Sequence, residues 1–172
     1  MNIPQWLKNI ERSKPQSEEQ LIELAIQIAK RNVQNNTGGP FGAAIYDKNK
    51  KLLSVGANLV IRNNCSLLHA EVVAILLAQK KLKTYDLSAV GAVLATSAEP
   101  CIMCQGAIYW SGITKVIYAA STQDVEKIGF KEGNKLPIEK ALKNISIVQL
   151  AQEKAIQESL NIYKGPIYNA DI

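Results

Sequence analysis

Apolar positions recur along this chain with two periods. Leu21, Leu24, Ala25, Ile28 and Ala29 keep one face of a helix apolar, and Ser17-Glu18-Glu19-Gln20 before them has the form of a capping box. The spacing predicts a helix over 18–33, ended by Asn35, Asn36 and the Gly38-Gly39-Pro40 break. Short apolar runs at 41–46 and 51–55, joined by Asp47-Lys48-Asn49-Lys50, predict a hairpin, and the polar cluster over 58–66 reads as a loop. Residues 69–82 are too long and too alanine-rich for a strand and predict a buried helix. Strands follow at 90–96, 115–119 and 145–150, with helices at 101–110 and 152–163. After the hairpin, strands alternate with helices, and crossovers of that length imply mostly parallel strands covered on both faces. The fold class is α/β, a three-layer α/β/α sandwich around a mixed five-stranded sheet.

Composition narrows the picture without naming a reaction. At 172 residues, 47% apolar and 20% charged, the chain holds enough apolar surface for one core and is not a disordered segment. We divide it into an N-terminal extension, 1–16, and one domain, 17–172, whose apolar tail over 165–172 is expected to dock on something, such as a second subunit. The net charge of +5 tolerates an anionic partner without demanding one. The longest purely apolar run, Val72 to Ala78, falls far short of the ~20 residues needed to cross a bilayer. The first residues mix Lys8, Glu11, Arg12 and Lys14 with Pro4 and Pro15, which leaves no apolar core for a secretory signal and gives a cytoplasmic expectation. Three cysteines suit reduced thiols or metal ligation better than a disulfide framework.

The candidate chemistry lies in two short stretches. Cys101 and Cys104 sit three apart at the start of a predicted helix, so both thiols project from one face of its first turn at a spacing that fits one metal ion. The positive end of the helix favours the thiolates that zinc needs. His69, the only histidine, also opens a predicted helix, and Glu71 follows two residues later. In an α/β sandwich, helix starts that follow the carboxyl ends of strands gather at one sheet edge, where His69, Cys101 and Cys104 can meet. Three protein ligands leave one zinc position for water, the mark of a catalytic site, with Glu71 placed to accept a proton. A closed alternative adds Cys65 as a fourth ligand and makes the site structural. A bare C-x-x-C could also be a packed or redox pair.

His69-Ala70-Glu71 and Pro100-Cys101-Ile102-Met103-Cys104 match the H-x-E and P-C-x-x-C signature of the zinc nucleobase deaminases. Within that superfamily of cytidine deaminase-like proteins, the sequence resembles the bacterial guanine deaminases, especially the branch that also accepts ammeline. The likeness runs from about residue 18 to the end, through Gly38-Gly39-Pro40-Phe41-Gly42-Ala43, Thr96-Ser97-Ala98-Glu99, Gly106 to Gly112, Gly129-Phe130-Lys131-Glu132-Gly133 and Ile167-Tyr168-Asn169-Ala170. It implies one zinc ion per subunit on His69, Cys101 and Cys104, with Glu71 as proton shuttle and Glu132 helping to protonate the departing amine. It further implies substrate contacts from Asn58, Phe41, Ala70, Trp110 and Tyr168, the last from a neighbouring subunit in a swapped homodimer. The implied reaction converts guanine to xanthine and ammonia. The tRNA adenosine deaminases share the signature, but an RNA binder should gather cations at the site mouth, and Lys80, Lys81 and Lys83 lie at the far end of their helix. Nucleic acid is therefore not the expected partner. Cytosine and nucleoside substrates stay open, as does a non-catalytic zinc module.

Overall fold

The computed structural model describes residues 1–10, 15, 17–130 and 137–150. The expected helix over 152–163, the apolar tail with Tyr168, and the loop carrying Glu132 lie outside the described residues.

The longest helix, α2 (Glu18–Gln34), follows a short α1 (Gln5–Lys8), and the Ser17 side chain caps α2 by accepting from the Gln20 amide. The hairpin is β1 (Gly42–Tyr46) and β2 (Leu52–Ala57). Then come α3 (Val60–Asn63), α4 (Ala70–Leu82), β3 (Val93–Ala98), α5 (Ile102–Ser111), β4 (Lys115–Ala120), α6 (Thr122–Lys127), α7 (Ile138–Ala141) and β5 (Ser146–Gln149). The sheet order is β2-β1-β3-β4-β5. Pairings of β1 with β2 and β3 are antiparallel, while β3 with β4 and β4 with β5 are parallel. The sheet is mixed and five-stranded as expected, with parallel pairing confined to its second half.

Strand alternation separates two cores. Ala44, Tyr46, Ala95 and Ile117 pack under Leu21, Ile22 and Ile26 of α2. Ala43, Ile45, Leu94 and Val116 face Ala70, Ala74 and Ala78 of α4 and Ile108 of α5. Small residues bring α4 unusually close to the sheet, since a Cβ at Gly56 would lie 2.0 Å from the Ala70 carbonyl oxygen. A third cluster buries Leu7 and Ile10 against Ile28, Ala57, Leu59, Leu68 and Val73.

Several local features differ from the sequence reading. The short helices α1 and α7 stand where no element is expected. The polar cluster over 58–66 contains the single turn α3. The strand expected from residue 90 begins at Val93, because a 3-10 turn (Ser88–Val90) and Gly91 at φ +59° precede it. The short α6 was not anticipated, although its signal is written in the sequence: Ser121 and Asp124 form a reciprocal capping box.

Candidate metal and catalytic site

Because β1 runs opposite to both neighbours, β2, β3 and β4 share a direction, and their carboxyl ends meet the start of β1 at one edge. Phe41 immediately precedes β1, Asn58 follows β2, Glu99 and Cys101 follow β3, and Thr122 opens α6 after β4. His69 and Cys101 are the N-cap residues of α4 and α5, both in extended conformation. Residues distant in sequence are thus delivered to one crevice by strand ends and helix starts, the placement favoured for α/β sites.

The ligand cluster forms as the spacing predicts. His69 Nδ1 lies 3.5 Å from Cys101 Sγ and 3.7 Å from Cys104 Sγ, and the three ligand atoms are all within 4.8 Å of one another. A tetrahedral zinc ion, with bonds near 2.3 Å to sulfur and 2.0–2.1 Å to nitrogen, separates those atoms by about 3.6 Å. The cradle therefore fits zinc. Cys65 is not part of this cluster; it packs partly buried against the third core, so the described residues do not support the closed four-ligand arrangement. Hydrogen bonding from Cys104 and the His69 ring hold the Cys101 thiol down at about 4, while the same Cys104–Cys101 bond and burial push the Cys104 thiol up. One sulfur is predisposed to be thiolate, and the other must shed its proton when a metal is taken up.

Glu71 occupies the first turn of α4 and is only 6% exposed. Thr96 Oγ1 donates to Glu71 Oε1 at 3.0 Å, and Cys104 Sγ donates to Oε2 at 3.5 Å. Burial raises its pKa, with the adjacent Cys101 adding in the same direction.

A cavity opens at these groups, lined by His69, Glu71 and Cys101 together with Phe41, Asn58 and Val125. Phe41 meets Phe130 edge to face at 5.1 Å between ring centroids. Asn58 is 1% exposed, and its Oδ1 accepts from the Val60 amide at 3.3 Å. Glu99 and Thr122 complete the rim, with Glu99 Oε2 accepting from the Thr122 amide and hydroxyl at 2.9 and 2.8 Å. Ala70 is fully buried and packs in the core against β2 rather than lining the cavity. Trp110 also does not line it: the ring is 81% exposed on α5, stacked edge to face on Tyr109. Sequence reasoning missed three contributors: Thr96, Glu99 and Thr122. Their signal was available only as position: Thr96 lies within β3, Glu99 directly follows β3, and Thr122 opens the helix after β4.

Comparison with known proteins agrees with this geometry. The family described as the cytidine and deoxycytidylate deaminase zinc-binding region matches residues 15–120. Guanine deaminase from Bacillus subtilis is 41% identical over 114 residues, covering 66% of this chain and 71% of that protein. A tRNA-specific adenosine deaminase from Buchnera aphidicola is 36% identical over 126 residues, covering 69% and 81%. Among solved structures, a guanine deaminase from Nitrosomonas europaea superposes with a TM-score of 0.87 at 35% identity, covering 93% of this chain and 92% of that one. A variant of NE0047 in complex with 8-azaguanine matches with the same score, identity and coverage. With His69, Cys101, Cys104 and Glu71 assembled inside the matched segment, this chain belongs to the zinc-dependent cytidine and deoxycytidylate deaminase family.

Proposed function

We propose that this protein is a guanine deaminase that converts guanine and water to xanthine and ammonia, with ammeline as a further candidate substrate. The observation that carries the reading is the buried Glu71 carboxyl beside a three-ligand cradle, facing a cavity walled by an aromatic ring and an amide. Held by His69, Cys101 and Cys104, a zinc ion would supply an activated water as nucleophile for C2 of guanine. Glu71 is the group placed to take up a proton and hand it to a ring nitrogen of the base. Oε1 is committed to Thr96, so Oε2 is the oxygen that carries the proton once Cys104 is a thiolate. Phe41 offers a flat face to the base, and the paired donor and acceptor of Asn58 suit a purine edge. Glu132 is assigned the second proton transfer, to the departing amine.

The reading includes a homodimer. Ile102, Tyr109 and Trp110 of α5 are 49%, 60% and 81% exposed, more apolar surface than a solvated helix needs, and a partner covering it gives Trp110 a role at the site. Tyr168 is assigned to the neighbouring cavity. Cytoplasmic residence is consistent with three free cysteines. No helix among the described residues is long and apolar enough to cross a membrane.

Ammonia release from guanine, ammeline, adenine, cytosine, cytidine and a tRNA anticodon hairpin, offered to one zinc-loaded preparation, tests the assignment. Turnover of guanine is expected, with Glu132→Gln losing most of the rate while zinc stays bound. Turnover confined to the hairpin would overturn it in favour of RNA editing. Lys80 and Lys81 in the last turn of α4, with Lys83 just beyond, argue against that outcome, since the helix rise places them about 16–21 Å from His69.

A further inference from the structure

The first ten residues stand outside the family match, yet they reach the cavity wall through a continuous hydrogen-bond chain. Trp6 Nε1 donates to Thr37 Oγ1 at 3.2 Å. Thr37 Oγ1 lies 2.7 Å from Asn32 Oδ1, and Asn32 Nδ2 donates to the carbonyl oxygens of Gly39 and Asn58 at 2.9 and 2.8 Å. Trp6 can only donate, so the Thr37 hydroxyl accepts there and turns its hydrogen to Asn32, whose Oδ1 at 2.7 Å is nearer than its backbone oxygen at 3.1 Å; the two carbonyls claim the Nδ2 hydrogens, which turns Oδ1 towards Thr37. Asn32 is fully buried, so its amide has no water to substitute for a lost partner.

Asn58 is the end of this chain, and its backbone is gripped twice. Its N–H donates to the Phe41 carbonyl at 3.1 Å, and its own carbonyl receives the Asn32 amide. The intervening loop lies so flat on it that a Cβ at Gly38 would stand 1.9 Å from the Asn58 oxygen. Leu7 and Ile10 pack beneath the same wall against Leu59 and Leu68, the residues next to Asn58 and His69.

We infer that Trp6, Thr37 and Asn32 are positioning residues for the base-binding amide, so that the N-terminal segment sets substrate affinity without touching substrate. The inference rests on the proposed contact between Asn58 and the base. The test uses the full-length zinc-loaded protein and follows kcat and KM for guanine together with calorimetric affinity for 8-azaguanine. Trp6→Phe keeps the ring's packing and removes only its N–H, Thr37→Val breaks the next link, and Thr37→Ser restores the hydroxyl. We expect Trp6→Phe and Thr37→Val each to raise KM and weaken 8-azaguanine binding about three- to ten-fold, with kcat within about two-fold and zinc content unchanged. The double variant should be no worse than Thr37→Val alone, and Thr37→Ser should behave as the unmodified protein. Unchanged affinity in Trp6→Phe and Thr37→Val, alongside a clear loss in Asn58→Ala, would overturn the relay alone. Unchanged affinity in Asn58→Ala would remove the base contact itself, and the relay with it.

Discussion

Thr96 Oγ1 stands 3.0 Å from Glu71 Oε1 and 3.4 Å from the Gly42 carbonyl oxygen, and its one hydrogen can serve only one of them at a time. With the proton carried on Oε2, Oε1 goes on accepting from the hydroxyl whether Glu71 is ionised or protonated. The threonine can hold the carboxyl in place through both protonation states. Thr96→Val is expected to lower kcat about ten- to hundred-fold with zinc retained, and Thr96→Ser to recover most of it. Glu71→Ala should keep zinc and fold but lose about 10²–10⁴ in rate, which steady-state kinetics beside metal analysis will show.

The two classes of cysteine should separate cleanly. Cys104 is fully buried within the ligand cluster, so Cys104→Ser is expected to abolish stoichiometric zinc binding and activity together. Cys65 stands outside the cluster, and Cys65→Ser should leave zinc content and rate unchanged, with a melting temperature lowered by no more than a few degrees. Loss of zinc in Cys65→Ser would restore the four-ligand site.

Metal binding also depends on how closely α4 approaches β2. Alanine at Gly56 would place its methyl 2.0 Å from the Ala70 oxygen and 2.6 Å from the Ala74 nitrogen, both backbone atoms that move only if the helix moves. The N-cap of that helix is His69. Gly56→Ala is therefore expected to cost about 1–3 kcal/mol of stability and at least about ten-fold in zinc affinity, measured by chemical denaturation and competition with a chelator.

Stability at high pH should carry the signature of Tyr46. Burial raises this phenol well above its ordinary value, and its hydroxyl reaches only the Leu21 carbonyl at 3.4 Å. The folded state thus holds the neutral phenol while the unfolded chain ionises near pH 10, so this contribution is intact below about pH 10 and is lost as pH rises further. Melting curves from pH 8 to 11 should show a steeper alkaline decline for the unmodified protein than for Tyr46→Phe. Parallel declines would place the phenol in contact with water.

Periodicity in the sequence was enough to predict α2, the hairpin, α4 and α5, because each carries its own apolar pattern and its own stop signals. The metal ligands were legible for a related reason. Two thiols three apart on one helical turn, and a histidine opening another helix, can be placed by local geometry once both helices are known to leave the same sheet edge. Short elements such as α6 escaped because a single turn has too few positions to show a period, even where its cap is written plainly.

The sequence by itself determined which atoms can ligate zinc and which carboxyl accompanies them, since that chemistry is fixed by residue type and by spacing within a few residues. Only the tertiary structure decided that Thr96 rather than a nearer neighbour steadies Glu71, that Trp110 faces outward on α5, and that Trp6 stands at the head of a chain ending on Asn58. Those relations join residues 25 or more positions apart through the pairing of β1 with β3 and the packing of α2 against the sheet. They depend on distances in space that no local pattern records.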